Sequence, residues 1–562
     1  MGWLTEMLTK YPELGVYLAL GIGYWIGGFR FGNFSLGGAT GSLIAGMFVG
    51  WLFEIPVSAT AKSLVFLLFL FGIGYEVGPK FFAAMKGDGW RFGVLAVFMP
   101  VVGLLVAWGV AVYLQLDPGL AAGLVSGALT ESPAMGTAIE AIHALPLDEA
   151  TRKTLEAHVG VADALCYVFG ALGVILVCTE IGPRLLRIDL KKEALALEAL
   201  YGIKRQRDGI VSAWKQFEVR AYRVAAGSAV VGRSVSDAEH VNPAARLFLV
   251  RLRRDGEILP VTPAEILRAG DIVAVSGRRE TLIELLGDHA EEVEDRELLD
   301  IPVASYEIFV SNPRWVSRTL AEVSTSDLVR AVYLRRLLRG GQEIPMGTQT
   351  RIERGDVLQM VGSEKAVARA AEELGDVIQP TDITDFVTVG LMVVIGALAG
   401  AAAAFSIGGV QVSIGTSVGV LLSGIVTGYI RSVRPLFGRV PDGAVKFMQS
   451  FGLAGFVAMV GIGAGPHFVV AVRESGVGLL LGGILVTMAP LLAGLWFGRY
   501  VLKINPLLLL GAMSGAQTFT AALAALQEKS DSTVAVIGYS GAVPVAHVVL
   551  TTWGTVIVLL MT

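Results

Sequence analysis

The stretch SGALTESP at residues 126–133 recurs as SGAQTFT at residues 514–520, in two apolar regions far apart in the chain. The match extends upstream at a constant offset, from Asp117-Pro118 in the first region to Asn505-Pro506 in the second. Glycine and proline interrupt helices and leave backbone N–H and C=O groups without helical partners. The duplicated stretch therefore predicts two broken helices, one in each of two homologous halves.

The composition places these halves in a membrane. Hydrophobic residues make up 54% of the chain, charged residues only 17%, and the mean hydropathy is +0.64, whereas about 25% of residues are charged in an average soluble domain. The net charge of -4 argues against a nucleic-acid partner. Cys166 and Cys178 lie in one apolar run, which predicts buried thiols and neither a disulfide framework nor a zinc site. No cofactor or metal is expected.

Hydrophobicity divides the chain into apolar, charged and apolar parts. We expect the following domains: membrane repeat 1 at 1–180, a linker at 181–216, two small α+β modules at 217–290 and 299–376, and membrane repeat 2 at 385–562.

Two further matches support the duplication. Ser35-Leu36-Gly37 recurs as Ser413-Ile414-Gly415. Gly72-Ile73-Gly74 aligns with Gly461-Ile462-Gly463 if a gap of two residues precedes the following Gly-Pro pair. Three ordered matches are unlikely between unrelated apolar segments, so the sequence predicts a repeated membrane fold.

The distribution of Lys and Arg sets an expected orientation. With the amino terminus outside and five crossings in each half, the cytoplasmic side gains an excess of basic residues, among them Lys86, Arg431 and Lys446. Each half contains six apolar segments, so one segment must fail to cross. We expect this of 119–143 and 507–527, which contain the small and polar stretches. An odd number of crossings inverts the second repeat relative to the first.

The predicted fold class is therefore a polytopic α-helical membrane protein with two inverted repeats, broken or re-entrant helices and two small α+β cytoplasmic domains. Inverted repeats with interrupted helices are the architecture of secondary transporters. We expect a multi-pass protein of the inner (cytoplasmic) membrane, with a cytoplasmic insert and both termini outside.

The charged insert contains a duplication of its own. Its pattern of Gly256, Pro260, Gly270-Asp271 and Gly277 recurs as Gly341, Pro345, Gly355-Asp356 and Gly362. The Gly-Asp pairs are typical of turns before short strands. Both modules resemble the TrkA-C domain of potassium-channel and potassium-uptake regulators, which implies dimerisation and a small regulatory ligand. The insert contains no catalytic constellation.

The interrupted stretches supply the candidate binding residues. Backbone groups freed at a helix break, the positive end of a half-helix and nearby hydroxyls all suit a carboxylate. The predicted substrate-binding residues are Ser126, Gly127, Thr130, Glu131, Ser132, Ser514, Gly515, Gln517, Thr518 and Thr520. The competing interpretation is ordinary packing of small residues, with Ser and Thr bonded back to their own helices.

Acidic residues inside apolar segments are costly and point to function. Glu131 could meet an ammonium group, and Asp163 could bind a cation, a proton or a substrate amine. Glu76 is a weaker candidate of the same kind, because it lies between two glycines and close to the expected membrane interface. Ion pairing or snorkelling is the alternative for all three residues. His158, His467 and His547 stand apart in the sequence, so we expect structural roles for them.

These features resemble the aspartate:alanine exchanger family over nearly the whole chain: duplicated membrane halves, the motifs at Gly127–Thr130 and Gly515–Thr518, and paired TrkA-C modules between them. The resemblance implies an antiporter, not an enzyme, that exchanges L-aspartate for L-alanine. Coupled to aspartate decarboxylation, such electrogenic exchange supports a proton-motive force. It also implies a homodimer in which one bundle moves against a scaffold, as an elevator.

Two alternatives stay open. The family resemblance is equally compatible with succinate-like dicarboxylates as substrates, so an exporter of such acids is one. The order of the break and Asp163 is also distantly similar to cation:proton antiporters, and a regulated cation antiporter or channel is the other. In the second half, however, Gly541 stands near the position equivalent to Asp163, so a paired acidic ion site is incomplete.

Overall fold

A computed structural model describes most of the chain. The described residues are 2–31, 34–35, 37–53, 55–84, 89–201, 217–240, 247–287, 290–324, 326, 330–339, 342–378, 383–407, 410–413, 415–434 and 437–562. Lys86, Gly341, Ile414 and residues 202–216 of the linker carry sequence predictions that lie outside them. The chain forms two compact units: a membrane unit of Met1–Leu197, Arg339–Ile344 and Pro380–Thr562, and an insert unit of Glu198–Leu338 and Pro345–Gln379.

The first half of the membrane unit is helical apart from one short hairpin of strands. Its helices are α1 (Gly2–Lys10), α2 (Pro12–Gly27), α3 (Gly37–Phe53), α4 (Ala59–Ala84), α5 (Trp90–Tyr113), α6 (Pro118–Ala128), α7 (Pro133–Ala144), α8 (Glu149–Leu176), α9 (Gly182–Leu186) and α10 (Leu190–Tyr201). Strands β1 (Arg30–Phe31) and β2 (Phe34–Ser35) pair between α2 and α3. A π-helical turn, Val177–Ile181, joins α8 to α9.

The insert unit contains two sheets of five strands with the same strand order. The first module comprises β3 (Phe217–Arg223), α11 (Val235–His240), β4 (Phe248–Arg254), β5 (Glu257–Pro260), β6 (Ile272–Arg278), α12 (Arg279–Leu282) and β7 (Glu291–Glu292). After α13 (Arg296–Leu299), the second comprises β8 (Val303–Val310), α14 (Leu320–Ser324), β9 (Val332–Arg339), β10 (Gln342–Glu343), β11 (Val357–Ser363), α15 (Glu364–Leu374) and β12 (Gly375–Val377). The sheet orders are β5-β4-β6-β3-β7 and β10-β9-β11-β8-β12.

The predicted Gly-Asp turns precede the central strands of both sheets. Gly270 and Gly355 each have a φ of +90°, which favours glycine. The carboxylates that follow them accept hydrogen bonds of 2.8 Å from the backbone, Asp271 from Arg268 and Asp356 from Glu353. The Gly-Asp turns predicted from the sequence therefore lead the chain into strands β6 and β11.

The second half repeats the helices of the first. It comprises α16 (Phe386–Ala402), β13 (Ala404–Ile407), β14 (Val410–Ser413), α17 (Thr416–Val433), α18 (Asp442–Ala464), α19 (Phe468–Trp496), α20 (Pro506–Ala516), α21 (Thr520–Ser530) and α22 (Val536–Leu560). Six helical segments in the described residues are long and apolar enough to cross a membrane: Ala59–Pro79, Trp90–Tyr113, Glu149–Leu186, Asp442–Arg473, Gly476–Val501 and Val536–Leu560. The polytopic membrane fold is therefore confirmed.

Glycines lock the two halves together through matching contacts. A Cβ on Gly46 or Gly50 of α3 would lie within 2.4 Å of the α18 backbone, and one on Gly424 or Gly428 of α17 within 2.6 Å of the α4 backbone. Only glycine permits such close approach, because any larger residue would overlap a carbonyl oxygen. The repeated Gly-rich motifs therefore form the interface between α3 and α18 and its equivalent between α17 and α4.

These contacts correct the alignment of one motif. Gly74 packs against the carbonyl oxygen of Leu421, and Gly461 against that of Leu43, which are equivalent positions of α17 and α3. Gly74, not Gly72, is therefore the counterpart of Gly461, and the gap of two residues disappears. The sequence alignment was wrong because Gly-X-Gly matches itself when shifted by two.

The segment 119–143 forms a re-entrant hairpin of α6 and α7, hereafter hairpin 1. Asp117, just before α6, lies 2.7 Å from His158, and His143, in the last turn of α7, lies 3.3 Å from Glu156. Glu156 and His158 are neighbours in one turn of α8. Because hairpin 1 begins and ends beside that turn, it enters and leaves the membrane unit at the same level.

The segment 507–527 forms an equivalent hairpin of α20 and α21, hereafter hairpin 2, at the other end of α8. Lys529, in the last turn of α21, pairs with Glu180, and the Cys178 thiol contacts the carbonyl oxygen of Leu510 in α20. At 1.5 Å per residue, Glu180 lies about 36 Å from Glu156, slightly more than the hydrocarbon thickness of a bilayer. The hairpins therefore enter from opposite sides, and the repeats are inverted.

The membrane helices form two bundles. Helices α2, α3, α4, α16, α17 and α18 pack together in what we call the scaffold bundle. Hairpins 1 and 2 pack with α5, α8, α19 and α22 in what we call the hairpin bundle. Contacts between α8 and α18, and between their equivalents α22 and α4, join the bundles.

Candidate functional site

Each hairpin turns at a threonine in a left-handed conformation. Thr130 has a φ of +56° and Thr518 a φ of +51°, in a region that β-branched residues rarely occupy. In both turns the next residue donates its backbone N–H five residues back, Glu131 to Ser126 across 2.8 Å and Phe519 to Ser514 across 3.0 Å. This closing bond is typical of a helix that ends in a left-handed residue. Strained threonines kept at both tips point to a functional site.

The two tips touch each other. The Thr130 hydroxyl donates a hydrogen bond of 2.7 Å to the backbone carbonyl oxygen of Gln517, and the Thr518 hydroxyl donates one of 2.6 Å to Oε2 of Glu131. Each hairpin therefore contributes a threonine that binds the other hairpin. Since the hairpins enter from opposite ends of α8, this contact lies in the interior of the membrane unit.

Glu131 lies at the centre of this junction. Its side chain is 1% exposed. Besides the bond from Thr518, its Oε1 lies 3.2 Å from the hydroxyl of Thr551 and 3.3 Å from Nδ1 of His547, both on α22. A buried carboxylate needs several donors to offset its lost hydration. Glu131 therefore links hairpin 1 to hairpin 2 and to α22.

Gln517 carries a further sign of an incomplete site. The residue is 1% exposed, and its Oε1 is a buried acceptor without a hydrogen-bond partner among the described residues. Buried polar atoms in folded proteins are usually satisfied, so such an atom calls for an explanation. A bound molecule with a hydrogen-bond donor would satisfy it.

A cavity of about 390 Å³ lies next to the tips and is lined by both bundles. Its lining from the hairpin bundle includes Thr518, Thr520, Tyr539, Ser540 and His547. Its lining from the scaffold bundle includes Tyr24, Ala39, Phe69, Glu76 and Gln449. The volume suits a small organic molecule.

The cavity extends from the tips toward the end of α8 that leads into the π-helical turn with Glu180. Its α22 residues run back from His547 to Tyr539, near the start of that helix. This start packs against hairpin 2, where a Cβ on Gly538 would lie 2.0 Å from the carbonyl oxygen of Leu508. Access to the site in this structure is therefore from the Glu180 end.

Contacts between the bundles occupy the opposite, Glu156 end. Glu140 of α7 accepts hydrogen bonds at the start of α17, from the Thr416 hydroxyl at 2.6 Å and the Ser417 N–H at 3.1 Å. Lys62 of α4 pairs with Glu156 of α8. A carboxylate at a helix start is favoured by the helix dipole and the unpaired N–H groups. These contacts hold the two bundles together at the Glu156 end.

The predicted binding residues separate into two groups. Thr130, Glu131, Gln517, Thr518 and Thr520 lie at the tips or line the cavity. Ser132 directly precedes α7, the second helix of hairpin 1, beside Glu131 and is partly exposed.

The other four residues pack the hairpins. The Ser514 hydroxyl bonds back to Gly511, and that of Ser126 donates to Asp163 across 2.6 Å. A Cβ on Gly127 would lie 2.5 Å from the carbonyl oxygen of Asp163, and one on Gly515 2.6 Å from that of Tyr539. These glycines let the hairpins approach α8 and α22, as the packing interpretation expects.

The same contacts correct the predicted equivalent of Asp163. Gly127 and Gly515 occupy equivalent positions and pack on Asp163 and Tyr539, so Tyr539, not Gly541, is the counterpart of Asp163. Asp163 is buried behind hairpin 1, whereas Tyr539 bonds the Thr520 hydroxyl across 2.9 Å and lines the cavity. The second half thus carries a phenol where the first carries an acid. Glu76, the third acidic candidate, accepts a bond of 2.7 Å from Gln449 in the cavity wall.

Sequence reasoning missed the polar stripe of α22. Tyr539, His547 and Thr551 recur at multiples of four residues, a spacing that places them on one helix face. The expected structural role of His547 overlooked this spacing, which the sequence contains. His547 both contacts Glu131 and lines the cavity.

Comparison with known families agrees with this architecture. The family model described as a predicted permease membrane region, Asp-Al_Ex, matches residues 15–183 and 388–559. The chain belongs to this permease family. The TrkA-C domain model matches the insert twice, at residues 219–287 and 306–375. The resemblance found in the sequence is thereby confirmed, both for the membrane halves and for the paired modules.

The relatives of this permease are transporters. An uncharacterized transporter of Bradyrhizobium diazoefficiens is 48% identical over 92% of this chain and 99% of its own. An uncharacterized transporter of Bordetella bronchiseptica is 39% identical over 99% of this chain and 98% of its own. One of Shewanella oneidensis is 36% identical over the full length of both chains. No solved structure matches. The protein is therefore a multi-pass membrane transporter.

Proposed function

We propose that the protein is a secondary antiporter that exchanges L-aspartate for L-alanine across the cytoplasmic membrane. The observation that carries this proposal is the meeting of two inverted hairpins at Thr130 and Thr518 beside a cavity. Such a meeting point places freed backbone groups, hydroxyls and a carboxylate in the membrane interior. It is small and polar, as a site for amino acids must be.

The proposed substrates share two charged groups that this site can bind. Glu131 would receive the α-ammonium, with the unpartnered Oε1 of Gln517 as a second acceptor. The Thr518 hydroxyl, already bonded to Glu131, would hold that carboxylate in place, and the Thr520 hydroxyl would donate to the α-carboxylate. His547 and Tyr539 line the same cavity and would serve the side-chain carboxylate of aspartate. Alanine would leave this last contact unused, which lets one site accept both substrates.

The two ends of the membrane unit suggest how exchange proceeds. The cavity reaches the Glu180 end, whereas Glu140 and the Lys62–Glu156 pair close the Glu156 end. Opening the Glu156 end requires these contacts to break as the hairpin bundle moves against the scaffold. If only a loaded site permits that movement, transport is obligatory exchange.

The equivalence of the two repeats suggests which contact would close the Glu180 end in the alternate state of the transporter. Glu528 lies 388 residues after Glu140, the offset from Asp117 to Asn505, and Gly37 is the counterpart of Gly415 at the start of α17. Both glycines have positive φ, +76° and +89°. A Cβ on Gly415 would lie 3.2 Å from the Glu140 carboxylate, whereas one on Gly37 would meet open space. Glu528 would therefore bind the start of α3 when the Glu180 end closes.

The orientation and physiology complete the proposal. The excess of basic residues supports a cytoplasmic location for the Glu180 end, from which the chain continues into the insert. The scaffold bundle would form a homodimer, and the TrkA-C modules would bind a small regulatory ligand. Coupled to decarboxylation of imported aspartate, the exchange would support a proton-motive force.

Counterflow in proteoliposomes tests the function. Vesicles loaded with L-alanine should take up labelled L-aspartate without sodium or a potassium gradient, and empty vesicles should not. Uptake that depends on internal succinate and ignores alanine would favour a dicarboxylate exporter. Uptake of rubidium, or proton movement, in the absence of amino acids would favour a cation antiporter. A paired acidic ion site does not support that alternative, because the counterpart of Asp163 in the second half is Tyr539.

A further inference from the structure

A second cavity, of about 440 Å³, lies at the Glu180 end of α8, away from the hairpin tips. It is lined by Thr179, Glu180, Pro183, Arg184, Arg187, Ile188, Asp189, Leu190, Lys191 and Lys529. The π-helical turn after α8, the turn between α9 and α10, and the last turn of hairpin 2 form its walls. None of these residues belongs to the site described above.

Two of its basic residues share one acid. Glu180 pairs with Arg184 across 3.0 Å and also with Lys529. One carboxylate therefore faces two cations, so Glu180, Arg184 and Lys529 together carry one positive charge in excess. A second anion between these walls would be favoured.

The other two basic residues increase the excess. Asp189 uses Oδ1 to accept the backbone N–H groups of Lys191 and Lys192, at 2.9 and 3.1 Å, and so caps α10. Within the described residues, the Arg187 and Lys191 side chains have no carboxylate partner. The cavity thus combines four cationic side chains with two carboxylates already in use.

The surroundings of the cavity are apolar and exposed. Leu176 is 49% exposed, Leu185 57% and Leu195 50%, on the three successive helices that border it. Glu180 lies about one bilayer thickness along α8 from Glu156. Leu176, four residues before Glu180 on the same helical segment, therefore stands where acyl chains begin, and the basic residues that follow it stand where headgroups lie.

We propose that this cavity binds the headgroup of an anionic glycerophospholipid. The phosphate would contact Arg187 and Lys191 and approach Lys529, and the acyl chains would cover Leu176. Basic pockets at the membrane boundary bind such headgroups because their charges lie close to the phosphate plane. The exposed Leu176 favours a lipid over a soluble phosphate, which has no apolar part to cover it.

Native mass spectrometry of the full-length protein provides the test, with phosphatidylglycerol and phosphatidylcholine as probes. We expect selective retention of phosphatidylglycerol. The double variant Arg187→Gln/Lys191→Gln should weaken its binding by roughly tenfold or more and leave phosphatidylcholine unchanged. The control Lys153→Gln/Arg473→Gln removes two exposed cations near the Glu156 end and should retain wild-type binding.

Two results would overturn the proposal. One is equal retention of phosphatidylglycerol by the wild type and the Arg187→Gln/Lys191→Gln variant. The other is displacement of phosphatidylglycerol by sn-glycerol 3-phosphate at similar concentration, which would assign the cavity to a soluble anion. A thermal-shift measurement with the same lipids separates loss of the site from misfolding, since a folded variant keeps its melting temperature without added lipid.

Discussion

The hydroxyl of Thr518 donates a 2.6 Å hydrogen bond to the buried carboxylate of Glu131, and this bond joins the tip of one hairpin to the tip of the other. The two residues are 387 positions apart in the chain. A hydrogen bond to a charged acceptor is stronger than a neutral one and directional. The bond fixes the Glu131 carboxylate beside the cavity, so the site should be sensitive to each of its partners.

Replacing Thr518 tests the hydrogen bond between Thr518 and Glu131. We expect Thr518→Val to lower aspartate counterflow by about tenfold or more, because valine keeps the β-branched shape but cannot donate to Glu131. Thr518→Ser restores the hydroxyl and should recover much of the rate. Counterflow of purified, monodisperse protein is the measurement. Full activity of the valine variant would show that the hydroxyl is dispensable.

The charge of Glu131 should decide which substrates are accepted. Glu131→Gln keeps the side-chain shape and one acceptor oxygen, for either Thr518 or Thr551, but removes the negative charge. If the carboxylate binds the α-ammonium, aspartate and alanine binding should weaken by about a hundredfold, as expected for a lost charged partner. Succinate, which lacks an ammonium group, should be affected far less. Equal losses for succinate and aspartate would contradict this role.

Breaking the Glu140 contact should shift the protein toward the state that is open at the Glu156 end. A cysteine at Ser540, which lines the cavity, reports access from the Glu180 end, and the native Cys166 and Cys178 are buried. We expect Glu140→Gln to slow labelling of Ser540→Cys by a soluble maleimide. Removing a charge-assisted hydrogen bond shifts such an equilibrium by about tenfold.

Two further acids provide the comparison for that experiment. Glu149→Gln removes an exposed carboxylate near the same end, which pairs only with exposed Lys153 among the described residues, and labelling should not change. Glu528→Gln should leave labelling unchanged or accelerate it, because its proposed contact belongs to the other state. Slower labelling in Glu528→Gln would argue against the proposal that Glu140 and Glu528 close opposite ends in alternate states.

The first insert module should lose stability in acid. Burial would raise the pKa of Asp271, but hydrogen bonds from the Arg254 guanidinium and the Arg268 N–H outweigh it, and the pKa lies below its ordinary value. A lowered folded-state pKa gives stability that is present above the unfolded pKa of about 3.9 and is lost as the pH falls through the folded pKa. The loss should therefore begin below about pH 4.

At neutral pH the same interaction can be removed by mutation. Asp271→Asn removes one of the two carboxylates that pair with the Arg254 side chain, which is 12% exposed, and leaves only that of Glu265. The change should destabilise the module by about 3 kcal/mol. Hydrogen exchange of β6 in the full-length protein at pH 7 should accelerate. Asp255→Asn, in the neighbouring turn, is the control and should leave β6 protected. Unchanged exchange in Asp271→Asn would show that the pair does not support the strand.

Much of the fold was predictable from short-range pattern. The apolar runs, the inverted repeats, the Gly-Asp turns and the breaks at Thr130 and Thr518 all follow from residue types and spacing, because a membrane leaves the backbone few alternatives. The errors arose where spacing was degenerate. Gly72 and Gly74 match Gly461 equally well by residue type, and only backbone contacts distinguish them.

The candidate site was only partly predictable for a different reason. Sequence placed Thr130, Glu131, Gln517 and Thr518 at breaks but could not separate them from Ser126 and Ser514, which differ only in the direction of their side chains. His547 was missed because its importance comes from Glu131, a residue far away in the chain. Proximity between distant segments is a property of packing, which no local pattern contains.

The sequence by itself determined that this chain is a duplicated membrane protein with one interruption per half and a duplicated insert, since hydropathy and glycine spacing constrain backbone hydrogen bonding directly. Only the tertiary structure decided that each interruption is a hairpin, that the tips meet, and that one end of the site is closed by Glu140. Those facts depend on which helix ends lie side by side, and the packing of the whole bundle sets this.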